Sequence, residues 1–269
     1  MTDTEIQSLG ERMKQHEEKF EMKISNKNCF VVRLDGKNFS KFTGSFKKPF
    51  DENFVKAMYN ATLDTFKKFY ARVGYCHSDE ASFYFSAVYD PNVEKCHFYN
   101  GRVLKICTVM AGYFSTRFAY HIDNIISEPY KKFIPYHLLQ NTTFDARLLE
   151  FEDEIEAVNH MIWRSCYDCH RNCVATYAQS NFSSKQLHGK NTSKMIEMLK
   201  TKGIEYDDIP FHLKYGIYFK NEQYLYEGGP EPASRTRIAA RTFNVLQLDD
   251  RVKLMTEKYW NDEGSKLEL

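Results

Sequence analysis

The chain has 269 residues, 42% of them hydrophobic, with 37 Lys and Arg against 36 Asp and Glu for a net charge of +1. That length suits one large domain or two small ones with a real core, and the balanced charge excludes a globally basic nucleic-acid binder while leaving room for a local basic patch. No apolar run nears the roughly 20 residues of a membrane span, and seven Cys, an odd number, argue for reduced thiols inside a cell rather than a disulfide scaffold.

The first residues, Met1-Thr2-Asp3-Thr4-Glu5, carry early acids and no apolar stretch of a secretory signal. A cytoplasmic location is expected, with the mitochondrion as the alternative. Residues 3–21 read as a charged, peripheral helix. Cys29-Phe30-Val31-Val32-Arg33-Leu34 reads as a buried strand, closed by Asp35-Gly36. Asp51 is placed to cap a helix over about 53–70, where Phe54, Met58, Ala61, Thr65 and Phe69 recur at helical spacing. Strands follow at about 73–77 and 81–88, joined through Ser78-Asp79-Glu80. A second helix is predicted over about 101–120, with Val103, Cys107, Met110, Ala111, Phe114 and Phe118 on one side. A fourth strand, 146–151, comes after a Pro-containing connection.

The order β-α-β-β-α-β predicts an α+β protein of ferredoxin-like, palm type: an antiparallel sheet with two helices on one face. Polymerase palms and nucleotidyl cyclases share this plan, so it selects no single function. Beyond 152 the chain reads as helical over 153–181 and 192–201. Then Tyr215-Gly216-Ile217-Tyr218-Phe219 and Gln223-Tyr224-Leu225-Tyr226 read as a hairpin. The expected organisation is a catalytic region with its N-terminal helix over 1–151, and a helical and hairpin region over 152–269 packed on it as one compact unit.

In this topology the first strand can neighbour the hairpin strand that carries Asp79, so Asp35 and Asp79 would face one spot from adjacent strands. Hard oxygen ligands meeting there, with the Gly36 carbonyl, suit Mg²⁺, and two such ions drive phosphoryl or nucleotidyl transfer. The plainer reading is a turn at Asp35-Gly36 and a hairpin loop at Ser78-Asp79-Glu80. Lys37-Asn38-Phe39-Ser40 could cradle a triphosphate, and Lys47 and Lys48 lie before a helix start that could meet phosphate. Cys166, Cys169 and Cys173 fall on one helical face, where they read as small packing residues, with zinc or haem attachment as the alternatives. Arg171, Lys185, His188, Lys190 and Lys194 form the densest basic stretch, either a surface for an RNA backbone or a solvated face.

Taken together, three ordered motifs resemble the tRNA-His guanylyltransferase family: Val32-Arg33-Leu34-Asp35-Gly36-Lys37-Asn38-Phe39, Lys48-Pro49-Phe50-Asp51, and His77-Ser78-Asp79-Glu80-Ala81-Ser82-Phe83. Phe144-Asp145-Ala146-Arg147 and Trp163-Arg164 through Asp168-Cys169-His170 continue the match over about 29–220. The resemblance implies a nucleotidyltransferase with Asp35, Asp79 and Glu80 as catalytic residues, Glu80 supporting the metal shell. It implies two Mg²⁺ on Asp35, Asp79 and Gly36. It also implies nucleotide contacts from Arg33, residues 35–40, Lys48, Asp51, Ser78 and Asp79, RNA contacts from His170, Arg171, Asn172, Lys185 and Lys190, and a homotetramer. Its partners would be tRNA or a similar RNA, ATP, GTP and other NTPs, and no membrane.

The Arg171-Asn172 form of the helical motif looks like the guanylyltransferase-like branch, which adds nucleotides to the 5′ end of truncated tRNA under template control. The alternatives are a dedicated tRNA-His guanylyltransferase, a nucleotidyl cyclase-like palm, and a non-catalytic tRNA-binding subunit.

Overall fold

A computed structural model of the chain describes residues 8–126, 141–228, 231–260 and 265–267. The start of the expected N-terminal helix and the Pro-containing connection at 127–140 lie outside the described residues.

Helix α1, Leu9–Glu18, begins with a capping box, in which the Ser8 hydroxyl accepts from the Glu11 amide and the Glu11 carboxylate accepts from Ser8 N. It buries no residue, as its charged sequence requires. Strand β1, Cys29–Gly36, is followed by the short α2, Phe39–Thr43, and by α3, Glu52–Phe69. The Asp51 carboxylate caps α3 by accepting from Asn53 N and Phe54 N. Then come β2, Val73–His77, β3, Glu80–Phe85, α4, Val103–Ile125, and β4, Phe144–Phe151. These four strands lie in the order β4-β1-β3-β2, every neighbouring pair antiparallel. This is the ferredoxin-like palm that the element order predicts.

Helix α5, Glu154–Ile162, runs through a π-helical stretch, Trp163–Cys169, into α6, His170–Asn181. Short helices α7, Ser184–Leu187, α8, Thr192–Lys200, and α9, Phe211–Tyr215, lead to β5, Ile217–Tyr226, and β6, Ala233–Thr242. Helix α10, Arg251–Thr256, and β7, Ser265–Leu267, complete the described chain. Strands β5, β6 and β7 extend the palm sheet beyond β2 to seven strands.

The hairpin expected within 215–226 is corrected. That segment is one long strand, and its partner is β6, with Asn221 opposite Ile238 and Glu222 opposite Arg237. Asn221 and Glu222 look like turn residues, but the Glu222 carboxylate is met by Arg237, Arg241 and Lys266. A satisfied carboxylate can sit in a strand interior, so the chain has no need to turn there.

The near-continuous apolar run of β1 has a structural cause. The sheet is covered on both faces, so alternate residues enter two cores. Phe30, Val32 and Leu34 join Met58, Phe66, Met110, Phe114 and Phe118 under α3 and α4. Cys29 and Val31 join Tyr75, Tyr84, Ala157, Met161 and Leu254 under α5 and α10. Both cores end at the same sheet edge, where the polar ends of β1 and β3 emerge.

Candidate active site

At that edge Asp35 is paired across β1 and β3 with Glu80 and across β1 and β4 with Asp145. Asp79 occupies the tight turn between β2 and β3, next to Ser78 with φ of 47°. The Gly36 amide donates to the Asp79 carbonyl at 3.0 Å and the Lys37 amide to the Thr143 carbonyl at 2.9 Å, so the backbone itself ties the two acidic turns together. A Cβ on Gly36 would lie 2.5 Å from the Phe39 ring, so glycine is required there.

The three acids differ in their partners. The Asp79 carboxylate accepts from the Ser78 hydroxyl at 3.1 Å. Asp35 has the Arg147 guanidinium at 4.0 Å. Glu80 is instead held bidentately by the buried Arg164, which also pairs with Asp168, while Arg33 stands 3.8 Å away. Burial, and after it the Glu80 carboxylate, pushes the Asp35 carboxyl above its usual range. Burial does the same for Asp79, against hydrogen bonds from its own backbone and Ser78. Two carboxylates raised in this way, with no cation among the described residues closer than Arg147 at 4.0 Å from Asp35, are prepared for a metal charge. Among the described residues no three or more His, Cys, Asp or Glu are grouped to hold an ion. Two carboxylates and a carbonyl nevertheless suit Mg²⁺, which keeps waters and takes phosphate oxygens as its remaining ligands.

Beside Ser78 lies a cavity of about 130 Å³. Lys47, Lys48, Asp51 and Ser78 give it polar groups, and Phe46, Phe54, Met58, Cys76, Leu213 and Ile217 give it apolar ones. Lys48 and Asp51 thus line the same cavity as Ser78. Lys37, Asn38 and Ser40 are exposed on the loop after β1, where Asn38 adopts a left-handed φ of 60°. The Phe39 side chain does not reach the site: it packs against Phe42, Phe54, Phe118 and Phe144. Arg33 is buried and turned toward Glu80 and the Trp163 ring, 5.9 Å from its guanidinium.

Of the residues expected to meet RNA, Asn172 lines the cavity. Arg171 is exposed and pairs with Asp168 at 2.9 Å, and the His170 Nδ1 lies 2.6 Å from the Tyr206 hydroxyl. Lys185 and Lys190 are exposed on and just after α7. Cys169 and Cys173 are buried against the cavity, and burial pushes the Cys173 thiol up to about 12. Cys166 points elsewhere, with its sulfur 3.2 Å from Asn244 Oδ1. Arg164 and Arg147 are the site residues whose roles the sequence did not disclose, since each meets its acid across strands or layers. An Arg164-x-x-x-Asp168 pair at helical spacing was the available signal.

The fold and its relatives define a nucleotidyltransferase. The tRNAHis guanylyltransferase family profile matches residues 10–152. The chain is 34% identical over 278 residues to Uncharacterized protein R259 of Acanthamoeba polyphaga mimivirus, covering 97% of this chain and 94% of that one. It is 25% identical over 247 residues to a probable tRNA(His) guanylyltransferase of Dictyostelium discoideum, covering 86% and 88% of the two. The fold superimposes on a bacterial tRNA(His) guanylyltransferase (Thg1)-like protein in complex with ATP, with a TM-score of 0.77 and 28% identity over 94% of this chain and all of that one. The chain therefore belongs to the tRNAHis guanylyltransferase family. No helix among the described residues is long and apolar enough to cross a membrane.

Proposed function

We propose that this protein adds nucleotides to the 5′ end of tRNA or a similar RNA under template control, extending it in the 3′-to-5′ direction. The observation that carries the reading is the meeting of Asp35 and Asp79 at one sheet edge, beside a cavity walled by Lys47, Lys48, Asp51 and Ser78. The ATP carried by the bacterial relative supports a nucleotide as ligand.

The 5′-monophosphate of the RNA first attacks the α-phosphate of ATP or GTP and releases pyrophosphate. The 3′-hydroxyl of an incoming NTP then attacks the activated phosphate and expels the nucleoside monophosphate. Pyrophosphate is removed from the new end when a further addition or a mature end needs it. Asp35, Asp79 and the Gly36 carbonyl would hold two Mg²⁺, which when bound neutralise phosphate charge and acidify the attacking hydroxyl. Lys37, Asn38, Ser40 and Lys48 hold the triphosphate, and Asp51 and Ser78 orient the nucleotide. Glu80, clamped by Arg164 and flanked by Arg33, keeps the Asp79 turn in position. His170, Arg171, Asn172, Lys185 and Lys190 contact the RNA. Residues 1–151 supply the catalytic region and 152–269 most of the RNA surface. A homotetramer would let near-neutral chains build a basic groove from several subunits.

A tRNA lacking its first nucleotide, with ATP, all four NTPs and Mg²⁺, tests this. The added base should follow the opposing base when that base is changed, because Watson–Crick geometry then sets the attacking hydroxyl in line. Addition of G alone, whatever stands opposite and only to tRNAHis, would replace the templated reading with dedicated guanylylation, the reading that the names of the relatives favour.

A further inference from the structure

The two reactants must reach Asp35 and Asp79 from different sides, because attack in line needs the hydroxyl and the leaving group apart. The β2 side is taken by the cavity, whose wall includes Cys76, His77 and Ser78. On the β1 and β4 side stands Trp163, a tryptophan that is 45% exposed. His160 of α5 meets Phe151, at the end of β4 away from Asp145, with ring centroids 6.2 Å apart, and meets Trp163 edge-on at 5.9 Å. Arg33 and Arg164 bring guanidinium carbons to 5.9 and 4.6 Å from the indole centroid. Arg164 is itself immobilised by Glu80 and Asp168. Both guanidinium groups also meet the Glu80 carboxylate, Arg33 at 3.8 Å, and Glu80 stands opposite Asp35 in the β1–β3 register, so the ring is tied to the acidic strand ends through these two side chains.

A half-exposed indole, backed by guanidinium groups that hold Glu80, has the makings of a stacking surface. Resting on the function proposed above, we infer that Trp163 is the platform on which the terminal nucleobase of the RNA 5′ end stacks, positioning its phosphate at Asp35. Stacking reads a π-face and not a hydrogen-bond pattern, so the platform would accept any base and leave selection to the template.

The chain has two tryptophans, so fluorescence can report on the ring directly. A 5′-truncated tRNA, titrated without NTP, should quench the wild-type signal. The same tRNA made abasic at its 5′-terminal residue should quench far less. In Trp163→Phe the quench should vanish, leaving only Trp260, while binding measured by filter retention persists. Trp163→Leu should weaken tRNA binding about tenfold and leave ATP binding unchanged. Full tRNA affinity in Trp163→Leu, or an undiminished quench in Trp163→Phe, overturns the platform while the wild-type enzyme still extends RNA. Quenching of Trp163 by ATP alone assigns the ring to the incoming nucleotide and also overturns it. Failure of the wild type to bind or extend any tRNA removes the proposed function and the platform together.

Discussion

At Gly36 a methyl group would come 2.5 Å from a Phe39 ring that is locked among four other phenylalanines. Gly36→Ala should therefore cost about 1–3 kcal/mol by overpacking and pull the Gly36 amide off the Asp79 carbonyl. Thermal melting and nucleotide addition should fall together, and an unchanged melting temperature would show that Phe39 yields freely. Asp35→Asn and Asp79→Asn keep shape and remove charge. Each should lower addition by more than about a hundredfold, and the double variant should lose little more, because both residues serve the same ions. Near-normal turnover in a folded Asp79→Asn protein would sink the shared site.

Arg164 is how the π-helical stretch between α5 and α6 grips β3. Its guanidinium meets Glu80 from 84 residues away and Asp168 from one turn away. Widening of the helix at Trp163–Cys169 keeps Trp163, Arg164 and Asp168 near one sheet edge, as π-turns at functional sites often do. Arg164→Met takes the bidentate partner from the buried Glu80 carboxylate and leaves it the longer Arg33 contact at 3.8 Å, which should cost about 3 kcal/mol. Adding Glu80→Gln should recover much of that stability and none of the activity, as denaturant melts and single-turnover assays would show. If Arg164→Met alone melts like the wild type, the clamp contributes nothing to the fold.

For the molecule as a whole, His160 and Glu222 respond to acid over different pH ranges. Burial, then the Arg164 and Arg33 guanidinium groups, lowers the His160 imidazole from 6.5 to about 4, and among the described residues both its ring nitrogens lack a hydrogen-bond partner. The unfolded chain binds a proton at His160 more readily, so this group's stability is complete above pH 6.5 and is lost as pH falls toward 4. Glu222 behaves differently. Burial alone would raise its carboxyl, but hydrogen bonds from Arg241, Lys266 and Arg237 bring it down to about 2. Its contribution is present above pH 4.5 and is lost only as pH falls from there toward 2. His160→Leu should lessen the pH slope of stability between 6.5 and 4, leaving the share of the also buried His77, lowered to about 3, and without touching the Glu222 range. Equal slopes for the two proteins in urea melts over that range would refute the assignment.

Periodicity alone disclosed the palm, because each strand and helix of the first 151 residues carries its own spacing and Asp51 marks a helix start. Once the order β-α-β-β-α-β is read, the topology puts β1 beside β3, so the approach of Asp35 and Asp79 was also legible. The long β5–β6 pair was not. Glu222 resembles a turn residue until Arg237, Arg241 and Lys266 arrive from other strands. Nor could the sequence show that Arg164 locks Glu80, that Arg147 approaches Asp35, or that Trp163 stands open beside them. Local pattern records which face of an element is buried. Which element covers that face, and which charge meets which across it, depends on contacts between distant segments that only the folded molecule brings together.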